Sequence, residues 1–225
     1  MLIIAHRGAH GAPGTYEENT RDAFQAALEM DADAVETDLR KCQFVDKNGK
    51  KCEQIVLSHD PIDNLEKHKN SMTLKDFFSA DFAEWMELHL EIKEKDIINE
   101  ICALTSTVRF KDHIIYSSFK WLELLKLRRK YKRARIGMLW DQVKVKLPNW
   151  LVALFANILG AESIHLQFNE LTKETVKYFR GKGFLVYAYT VNTEEEIDRA
   201  RKLDLDGIFT DYPSRAYDVL SRPIQ

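Results

Sequence analysis

Short apolar segments alternate along the chain with longer segments in which apolar residues recur every three or four positions. The short segments are bounded by polar residues and are often rich in Ile and Val, a pattern that predicts β-strands. Strands are predicted in eight regions, at residues 2–5, 34–39 with 55–58, 88–92, 114–116, 135–139, 163–166, 185–189 and 207–210. Helices are predicted between them, at residues 20–30, 97–104, 121–131, 150–159, 173–179, 194–203 and 214–220.

The helix predicted at residues 194–203 has the clearest ends. Thr193 is a favourable N-cap residue, and the three glutamates that follow it suit the positive end of a helix dipole. Arg199 and Lys202 suit the negative end.

Eight strand regions separated by helices favour a (β/α)₈ TIM barrel in the α/β class, formed as a single domain by residues 1–225. An open, doubly wound sheet is the alternative. That fold usually carries a glycine-rich phosphate loop, and neither G-x-G-x-x-G nor a P-loop occurs in the sequence. No apolar run is long enough to span a bilayer.

The composition narrows the possible partners and the cellular location. The chain has 225 residues, of which 45% are hydrophobic, and a net charge of −2, so it can bury a large core and has no overall attraction to nucleic acid. The first residues lead directly into a strand without the features of a signal peptide, which favours a cytoplasmic protein. Cys42 and Cys52 flank a predicted turn at residues 46–49; reduced thiols are favoured over a cross-strand disulfide.

Two predicted strands end in charged residues separated by one position. Glu36 and Asp38 would share one face of a strand, where two carboxylates repel each other unless a cation lies between them. Glu91 and Lys93 repeat this spacing in the next barrel strand. Taken singly, each pair is typical of solvated strand ends, but together they predict oxygen ligands for one Mg²⁺ or Ca²⁺ ion.

Two histidines follow predicted strands. His6 precedes Arg7 and Gly8, so a titratable group, a phosphate-binding fork and a turn residue are adjacent, and His59 closes another strand region. A lone histidine there is more often structural, whereas two histidines with three acids and an arginine favour catalysis. The other five histidines lack such neighbours and are expected to be structural or on the surface: His10, His68, His89, His113 and His165.

These motifs, taken in order, resemble the pattern of the glycerophosphodiester phosphodiesterase family. Across residues 3–213 they are His6-Arg7-Gly8, Glu17-Glu18-Asn19-Thr20, Glu36-Thr37-Asp38, His59-Asp60, Glu91-Ile92-Lys93, Thr190-Val191-Asn192 and Asp206-Gly207-Ile208-Phe209-Thr210-Asp211-Tyr212-Pro213. The chain departs from the family pattern at Glu17, where a proline is usual, and at Tyr189, where a tryptophan is usual. The segment at residues 61–87 is short for the family insertion that helps to cover the substrate.

The resemblance implies a role for each matching residue. Glu36, Asp38 and Glu91 would bind one divalent cation, and His6 and His59 would act as general acid and base. The other residues at motif positions would bind the substrate, with the first two on its phosphoryl group: Arg7, Lys93, Glu18, Asn19, Tyr189 and Asn192.

The implied activity is metal-dependent hydrolysis of glycerophosphodiesters to glycerol 3-phosphate and an alcohol. The alternatives are cleavage of lipid phosphodiesters, as in sphingomyelinase D-like or lysophospholipase D-like enzymes, and a non-catalytic barrel that binds phosphorylated ligands. A basic run at residues 126–135 and an apolar segment at 150–159 would suit a membrane-facing surface. We favour a solvated helix end and a buried barrel helix instead, without stable membrane association. The attacking oxygen would come from water or from a substrate hydroxyl, because no side chain stands in a recognisable nucleophile setting.

Overall fold

Eight parallel strands close into a barrel in the computed structural model, which describes residues 1–11, 16–45, 51–62 and 72–223. The strands of the described residues are β1 (Leu2–His6), β2 (Ala34–Val45), β3 (Lys51–Leu57), β4 (Glu87–Ile92), β5 (Ile114–Ser118), β6 (Arg135–Trp140), β7 (Ser163–Gln167), β8 (Leu185–Tyr189) and β9 (Gly207–Thr210). The barrel order is β1-β2-β4-β5-β6-β7-β8-β9, and pairing of β9 with β1 closes it. The predicted (β/α)₈ fold is confirmed.

Strand β3 lies outside the barrel and pairs antiparallel with the distal part of β2. The register places Leu39 opposite Leu57, so the chain leaves the barrel rim along β2 and returns along β3 to the same rim. Residues 55–57, predicted as part of the second strand region, therefore belong to this two-stranded arm. Cys42 lies opposite Gln54, and the cysteines are free. The predicted turn at residues 46–49 lies outside the described residues.

The seven predicted helices are present, each with ends within one residue of the prediction. Two further short helices, α2 and α3, lie in the connection from β3 to β4. In chain order the helices are α1 (Arg21–Glu29), α2 (Leu74–Phe78), α3 (Phe82–Trp85), α4 (Ile98–Thr105), α5 (Trp121–Lys130), α6 (Asn149–Leu159), α7 (Lys173–Arg180), α8 (Glu194–Lys202) and α9 (Pro213–Ser221). None of the described helices is long and apolar enough to cross a membrane.

Helix α8 begins with the predicted cap. The Thr193 hydroxyl accepts a hydrogen bond from the backbone N–H of Glu196, at 3.2 Å. The Glu196 carboxylate accepts one from the backbone N–H of Thr193, at 3.0 Å, which completes a capping box. The prediction of the helix start is confirmed.

Aromatic side chains fill the barrel interior below the rim. His165 stacks on Tyr187 with ring centroids 5.2 Å apart, and Phe209 packs against both His165 and His89. Gly137 makes room for this layer, since a Cβ atom there would lie 2.4 Å from the His165 ring. This closely packed layer forms a floor beneath the rim and supports the side chains at the strand ends.

The first residue of β4 is the centre of a charged network at the other end of the barrel. The Glu87 carboxylate lies 2.9 Å from Nε2 of the fully buried His89 and accepts a 2.6 Å hydrogen bond from Arg135. Burial opposes ionisation of Glu87, but its hydrogen bond to His89, the charge of that residue and the contact with Arg135 lower its pKa to about 2.

We predict a pH-dependent contribution of Glu87 to stability. Because its pKa is lower in the folded than in the unfolded chain, the carboxylate stabilises the fold fully above about pH 4.5, and this contribution is lost as the pH falls towards 2. The free energy of unfolding of wild type should exceed that of Glu87→Gln by about 2 kcal/mol at pH 7 and by much less at pH 3. Urea unfolding at both pH values measures this difference, with the exposed Glu84→Gln as control; an unchanged difference at pH 3 would contradict the prediction.

Candidate active site

Most of the predicted site residues surround one cavity at the carboxyl ends of the barrel strands. The cavity has a volume of about 180 Å³. It is lined by His6, Arg7, Glu36, His59, Glu91, Lys93, Ser117, Phe119, Leu139, His165, Tyr189, Thr190 and Phe209. Active sites of (β/α)₈ barrels form at this end because successive strands deliver side chains to one rim.

Three carboxylates meet at this rim. Glu36, Asp38 and Glu91 each place one oxygen so that the three atoms lie within 4.8 Å of one another. All three residues are buried, with exposed fractions of 4%, 1% and 8%. A buried set of oxygen donors has the chemistry that a hard divalent cation requires, so these residues fit the predicted metal.

The electrostatics of the cluster support this fit. Burial and repulsion from Asp38 and Glu91 raise the pKa of Glu36 well above its ordinary value. Burial also raises the pKa of Glu91, whereas the charges of Lys93 and Arg7 outweigh burial at Asp38 and lower its pKa. Three acids thus share two neighbouring basic side chains, and the excess negative charge favours a bound cation.

The two basic side chains line the cavity and pair with the acids. Lys93 Nζ is 3.0 Å from an Asp38 oxygen and 2.8 Å from a Glu91 oxygen. Arg7 lies 3.1 Å from Asp38 through Nε and donates a 2.8 Å hydrogen bond from Nη1 to Glu18. Glu18, whose side chain is 41% exposed, therefore contacts the guanidinium of Arg7 and orients it.

A tight turn after β1 aims Arg7 at the acids. Arg7 has φ 54° and Gly8 has φ 86°, both in the left-handed region. A Cβ atom at Gly8 would lie 2.7 Å from the Cβ of Ala23 on α1, so only glycine fits there. The backbone N–H of Arg7 donates a 3.2 Å hydrogen bond to the Glu36 carboxylate, which ties the turn to the acidic cluster.

His6 faces the acidic cluster from the end of β1. Its Nδ1 lies 2.7 Å from an Asp211 oxygen, and because a carboxylate only accepts, Nδ1 carries the proton. Nε2 lies 3.9 Å from a Glu36 oxygen and can exchange a proton within the cavity. Asp211 thereby fixes the ring orientation and tautomer of His6.

His59 lines the cavity from the segment that follows β3. Its side chain is 43% exposed, and its Nδ1 lies 2.9 Å from the Asp60 carboxylate. The His59 carbonyl accepts hydrogen bonds of 2.9 and 2.7 Å from the Arg40 guanidinium, which fixes the backbone beneath the ring. The structure thus brings the two predicted catalytic histidines to one cavity from different strands.

Asp211 belongs to the site, although the sequence motifs assigned no role to it. Asn192 donates a 2.7 Å hydrogen bond to its second oxygen, and His10 Nε2 lies 3.3 Å from the first. Contacts with His10, His6 and Asn192 outweigh burial and hold the pKa of Asp211 well below its usual range. His10 was expected to be structural or on the surface, and the β1 turn brings it against Asp211 at the edge of the site.

Two residues predicted to bind substrate hold the site from outside the cavity lining. Asn19 is buried, with its amide oxygen accepting a 2.7 Å hydrogen bond from Thr37. Asn192 uses its amide on Asp211, donating to the side chain and accepting from the backbone N–H at 2.9 Å. The Asn192 amide is engaged within the protein, whereas Nδ2 of Asn19 is buried without a hydrogen-bond partner among the described residues. Their predicted contact with the substrate stays a prediction.

Tyr189 and the remaining histidines differ in where they lie relative to the cavity. Tyr189 lines it, stacks edge-on against Phe119 at 5.9 Å and donates a 3.3 Å hydrogen bond to the Trp140 carbonyl. His165, expected to be structural or on the surface, is buried and its ring forms part of the floor. His89 is fully buried, His113 is exposed, and His68 lies outside the described residues.

The comparisons with known proteins identify the family. The model of the glycerophosphoryl diester phosphodiesterase family matches residues 6–43 and 49–215. The chain belongs to this family. Membership confirms the resemblance, and it also confirms the prediction that the chain is an enzyme of phosphoric diester hydrolysis.

Relatives of the phosphodiesterase align over nearly the whole chain. The glycerophosphodiester phosphodiesterase of Caldanaerobacter subterraneus is 26% identical, with 98% of each chain covered. A crystal structure from Galdieria sulphuraria has a TM-score of 0.83 at 24% identity, again with 98% of each chain covered. An Oleispira antarctica phosphodiesterase, solved with the product sn-glycerol-3-phosphate, has a TM-score of 0.76 at 20% identity and covers 99% of this chain and 97% of its own. The two structures share the barrel fold.

We predict that Asp211→Asn lowers turnover by this phosphodiesterase by about 10²–10⁴-fold. An amide at this position can donate to Nδ1 and so favour the wrong tautomer of His6, while Arg7 and Lys93, which are predicted to bind the phosphoryl group, are unchanged. The expected change is therefore in kcat with little change in KM. Asp60→Asn is the matched control, because the Asp60 side chain is 83% exposed beside His59 and should contribute less. Equal effects of the two substitutions would contradict the role of Asp211.

Proposed function

We propose that the protein hydrolyses glycerophosphodiesters to glycerol 3-phosphate and an alcohol, with one divalent cation and two catalytic histidines, in a single barrel domain. The observation that carries the proposal is the convergence of three buried carboxylates, two basic side chains and two histidines at one cavity. The product named for the Oleispira antarctica structure, sn-glycerol-3-phosphate, supports the substrate class. The cytoplasmic location stays a prediction.

The cation would be held by Glu36, Asp38 and Glu91, the buried acids whose oxygens lie within 4.8 Å. Mg²⁺ and Ca²⁺ both prefer such oxygen donors. A bound cation supplies electrostatic stabilisation of the charge that develops on the phosphoryl oxygens.

Arg7 and Lys93 would bind the phosphoryl group. Both line the cavity, and both present N–H donors beside the acidic cluster. The guanidinium provides a planar fork for two phosphoryl oxygens and the ammonium a compact positive charge. Glu18 would keep the Arg7 fork in place through their 2.8 Å hydrogen bond. Tyr189 and Phe119 would form the wall beside the alcohol or glycerol part of the substrate.

The two histidines would carry the proton transfers. One imidazole removes the proton from the attacking hydroxyl as the oxygen–phosphorus bond forms, and the other donates a proton to the departing alcohol oxygen. His6 is held for this role by Asp211, and His59 by Asp60 and the backbone contacts of Arg40. Their placement on separate strands allows each to serve a different side of the phosphorus.

The attacking oxygen would be the glycerol 2-hydroxyl of the substrate. This hydroxyl is already close to the phosphorus, so its attack gains proximity at little entropic cost. The product of that step is a cyclic phosphate, which water then opens to glycerol 3-phosphate. Ser117 and Thr190 line the cavity, but the histidine side chains of the described residues form their hydrogen bonds with Asp211, Asp60, Glu87 and Ser163 instead.

A substrate lacking the 2-hydroxyl tests this route. We expect 2-deoxyglycerophosphocholine to lose at least about 100-fold in kcat relative to glycerophosphocholine, because the internal nucleophile is absent. Single-turnover rates under matched conditions measure the difference, and the cyclic phosphate should be detectable by phosphorus NMR only with the natural substrate. A comparable kcat for both substrates would mean that water attacks directly.

A substrate panel tests the proposed function itself. Glycerophosphocholine, glycerophosphoethanolamine, glycerophosphoglycerol and lysophosphatidylcholine are incubated with purified protein, and glycerol 3-phosphate and the free alcohol are quantified. Glycerol 3-phosphate released from the first three supports the proposal. Turnover of lysophosphatidylcholine alone would favour the lipid phosphodiesterase alternative, and binding of substrates without turnover would favour a non-catalytic barrel.

A further inference from the structure

Helix α6 has an apolar face on each side. The inner face packs into the protein through Val152, Ala153, Ala156 and Leu159. The outer face carries Trp150, Leu154 and Ile158, spaced four residues apart, with exposed fractions of 61%, 47% and 56%. The interpretation of this segment as a buried barrel helix is therefore wrong for one of its two faces. A surface barrel helix requires only the inner stripe, so the outer one needs another explanation.

The exposed apolar surface continues onto neighbouring elements. Leu122 on α5 is 74% exposed, and Val143 and Val145 before α6 are 51% and 48% exposed. A groove of about 480 Å³ runs between α5 and α6, and Phe155 forms part of its wall. We call the exposed apolar residues of this region the α5–α6 face; they are Leu122, Val143, Val145, Trp150, Leu154, Phe155 and Ile158.

The α5–α6 face adjoins the catalytic cavity. Phe119 lines both the groove and the cavity, and is itself 43% exposed. The Lys120 side chain, which also lines the groove, donates a 2.5 Å hydrogen bond to the carbonyl of Lys93 in the active site. A partner on this face would therefore lie beside the entrance to the catalytic cavity.

Positive charge is concentrated around the same face. Residues 119–160 contain ten of the 33 Lys and Arg residues but two of the 35 Asp and Glu residues, in a chain of net charge −2. Of those two acids, Glu123 is buried and Asp141 is paired with Lys144. One of the ten Lys and Arg residues, Arg135, is paired with Glu87 and Glu162 at the other end of the barrel and does not contribute to this face. Lys120, Lys144 and Lys146 are exposed near the start of the helices. Arg129 in the last turn of α5, and Lys132 and Arg133 after it, are also exposed.

We propose that the α5–α6 face binds the surface of an anionic lipid bilayer, with the outer stripe of α6 lying in the interface. Helices that lie on membranes typically carry Trp, Leu and Ile flanked by Lys and Arg. Their apolar side chains enter the headgroup boundary, and their cations contact anionic lipids. The catalytic cavity would then open beside the lipid headgroups. This docking goes beyond the proposed hydrolysis and does not depend on it.

The charge distribution favours a bilayer over a second copy of the chain. A symmetric dimer formed through this face would bring two surfaces of net positive charge together, because the same patch meets itself. An anionic bilayer instead offers opposite charge to the lysines and an apolar layer to the helix stripe. A face with several exposed apolar side chains on adjoining elements also differs from a single exposed side chain such as Trp85 on α3, which is 78% exposed.

Vesicle binding tests the proposal with the full chain. Wild-type protein should co-sediment with vesicles of 30% phosphatidylglycerol in phosphatidylcholine, and should bind much less to pure phosphatidylcholine or in 0.5 M salt. Lys144→Gln with Lys146→Gln should lower the partition coefficient about 30-fold, from the worth of two basic side chains near such a surface. Trp150→Ala with Leu154→Ser should lower it at least tenfold, and brominated lipids should quench the fluorescence of Trp150.

The controls separate docking from a loss of folding. Trp85→Ala replaces an exposed tryptophan outside the α5–α6 face and should bind vesicles like wild type. The face variants should retain wild-type circular dichroism and turnover of soluble glycerophosphocholine, since none of the replaced residues lines the catalytic cavity. Absence of vesicle binding by wild type would overturn the proposal, as would a dimer in sedimentation velocity that Leu154→Ser dissociates.

Discussion

The substitutions His6→Ala and His59→Ala should each lower turnover by about 10²–10⁴-fold, which is the usual contribution of a positioned general acid or base. The His6→Ala protein lacks the imidazole that Asp211 orients towards the acids. The His59→Ala protein lacks the imidazole that lines the cavity from the end of β3. Steady-state release of glycerol 3-phosphate from glycerophosphocholine measures both losses. KM should change little, because the phosphoryl group would be bound by Arg7 and Lys93.

The double variant and a matched control sharpen this expectation. The combined loss in the His6→Ala/His59→Ala protein should be far smaller than the product of the single losses, because both groups serve one proton-transfer sequence. The exposed His113 is the control, and His113→Ala should retain wild-type turnover. A single variant of His6 or His59 with turnover near wild type would show that the histidine is structural.

Glu36→Gln and Glu91→Gln should each weaken binding of Mg²⁺ or Ca²⁺ by at least about tenfold, because each removes one charged oxygen donor from the site. Titration calorimetry measures the affinity, and turnover at limiting cation should fall in parallel. Urea unfolding in the absence of cation distinguishes a carboxylate that binds the metal from one that stabilises the fold. Burial and repulsion raise the pKa of Glu36, so Glu36→Gln should unfold at the same urea concentration as wild type or a higher one.

The metal prediction has a matched control and a clear contrary result. Glu84 on α3 is exposed and away from the acidic cluster, so Glu84→Gln should leave cation affinity unchanged. Wild-type cation affinity in both cluster variants would mean that the carboxylates serve only Lys93 and Arg7. A large loss of stability in cation-free Glu36→Gln would likewise point to a structural role.

The barrel was predictable because the pattern that forms it is local. Each barrel strand is a short apolar run, and each helix between strands has its own periodicity and in places its own cap, as at Thr193. For the β2–β3 arm, the sequence predicted a strand at residues 55–57 but not its place outside the barrel, because its apolar run also fits a barrel strand. Helices α2 and α3 were missed because segments of five and four residues are too short to show a helical period.

Site residues were predictable where the sequence places them at strand ends. Glu36, Asp38, Glu91 and the two histidines all follow this rule, and parallel strands bring such positions to one rim. Asp211 was quoted within a motif but received no role, because its partner His6 lies 205 residues away and nothing local indicates the contact. Asn19 was predicted to bind substrate from its motif alone, which does not show that its amide oxygen is buried against Thr37.

The outer face of α6 was hidden for a different reason. A segment that is apolar on every side has no polar stripe to show which face points outwards, so periodicity alone cannot separate a buried helix from one with two apolar faces. The exposure of Trp150 and Ile158 depends on what lies beside α6 in the folded barrel. That information is tertiary and therefore absent from the local pattern.

Release of glycerol 3-phosphate from glycerophosphocholine, with and without divalent cations, tests most directly whether this rim is a metal-dependent phosphodiesterase site. Purified wild-type protein is assayed after removal of divalent ions by chelator, and again after addition of excess Mg²⁺ or Ca²⁺, with Glu36→Gln as a parallel sample. We predict no release in chelator, recovery of wild-type release with one of the two cations, and little recovery in the variant. Full activity of the wild type in excess chelator would contradict the assignment of Glu36, Asp38 and Glu91 to a catalytic metal.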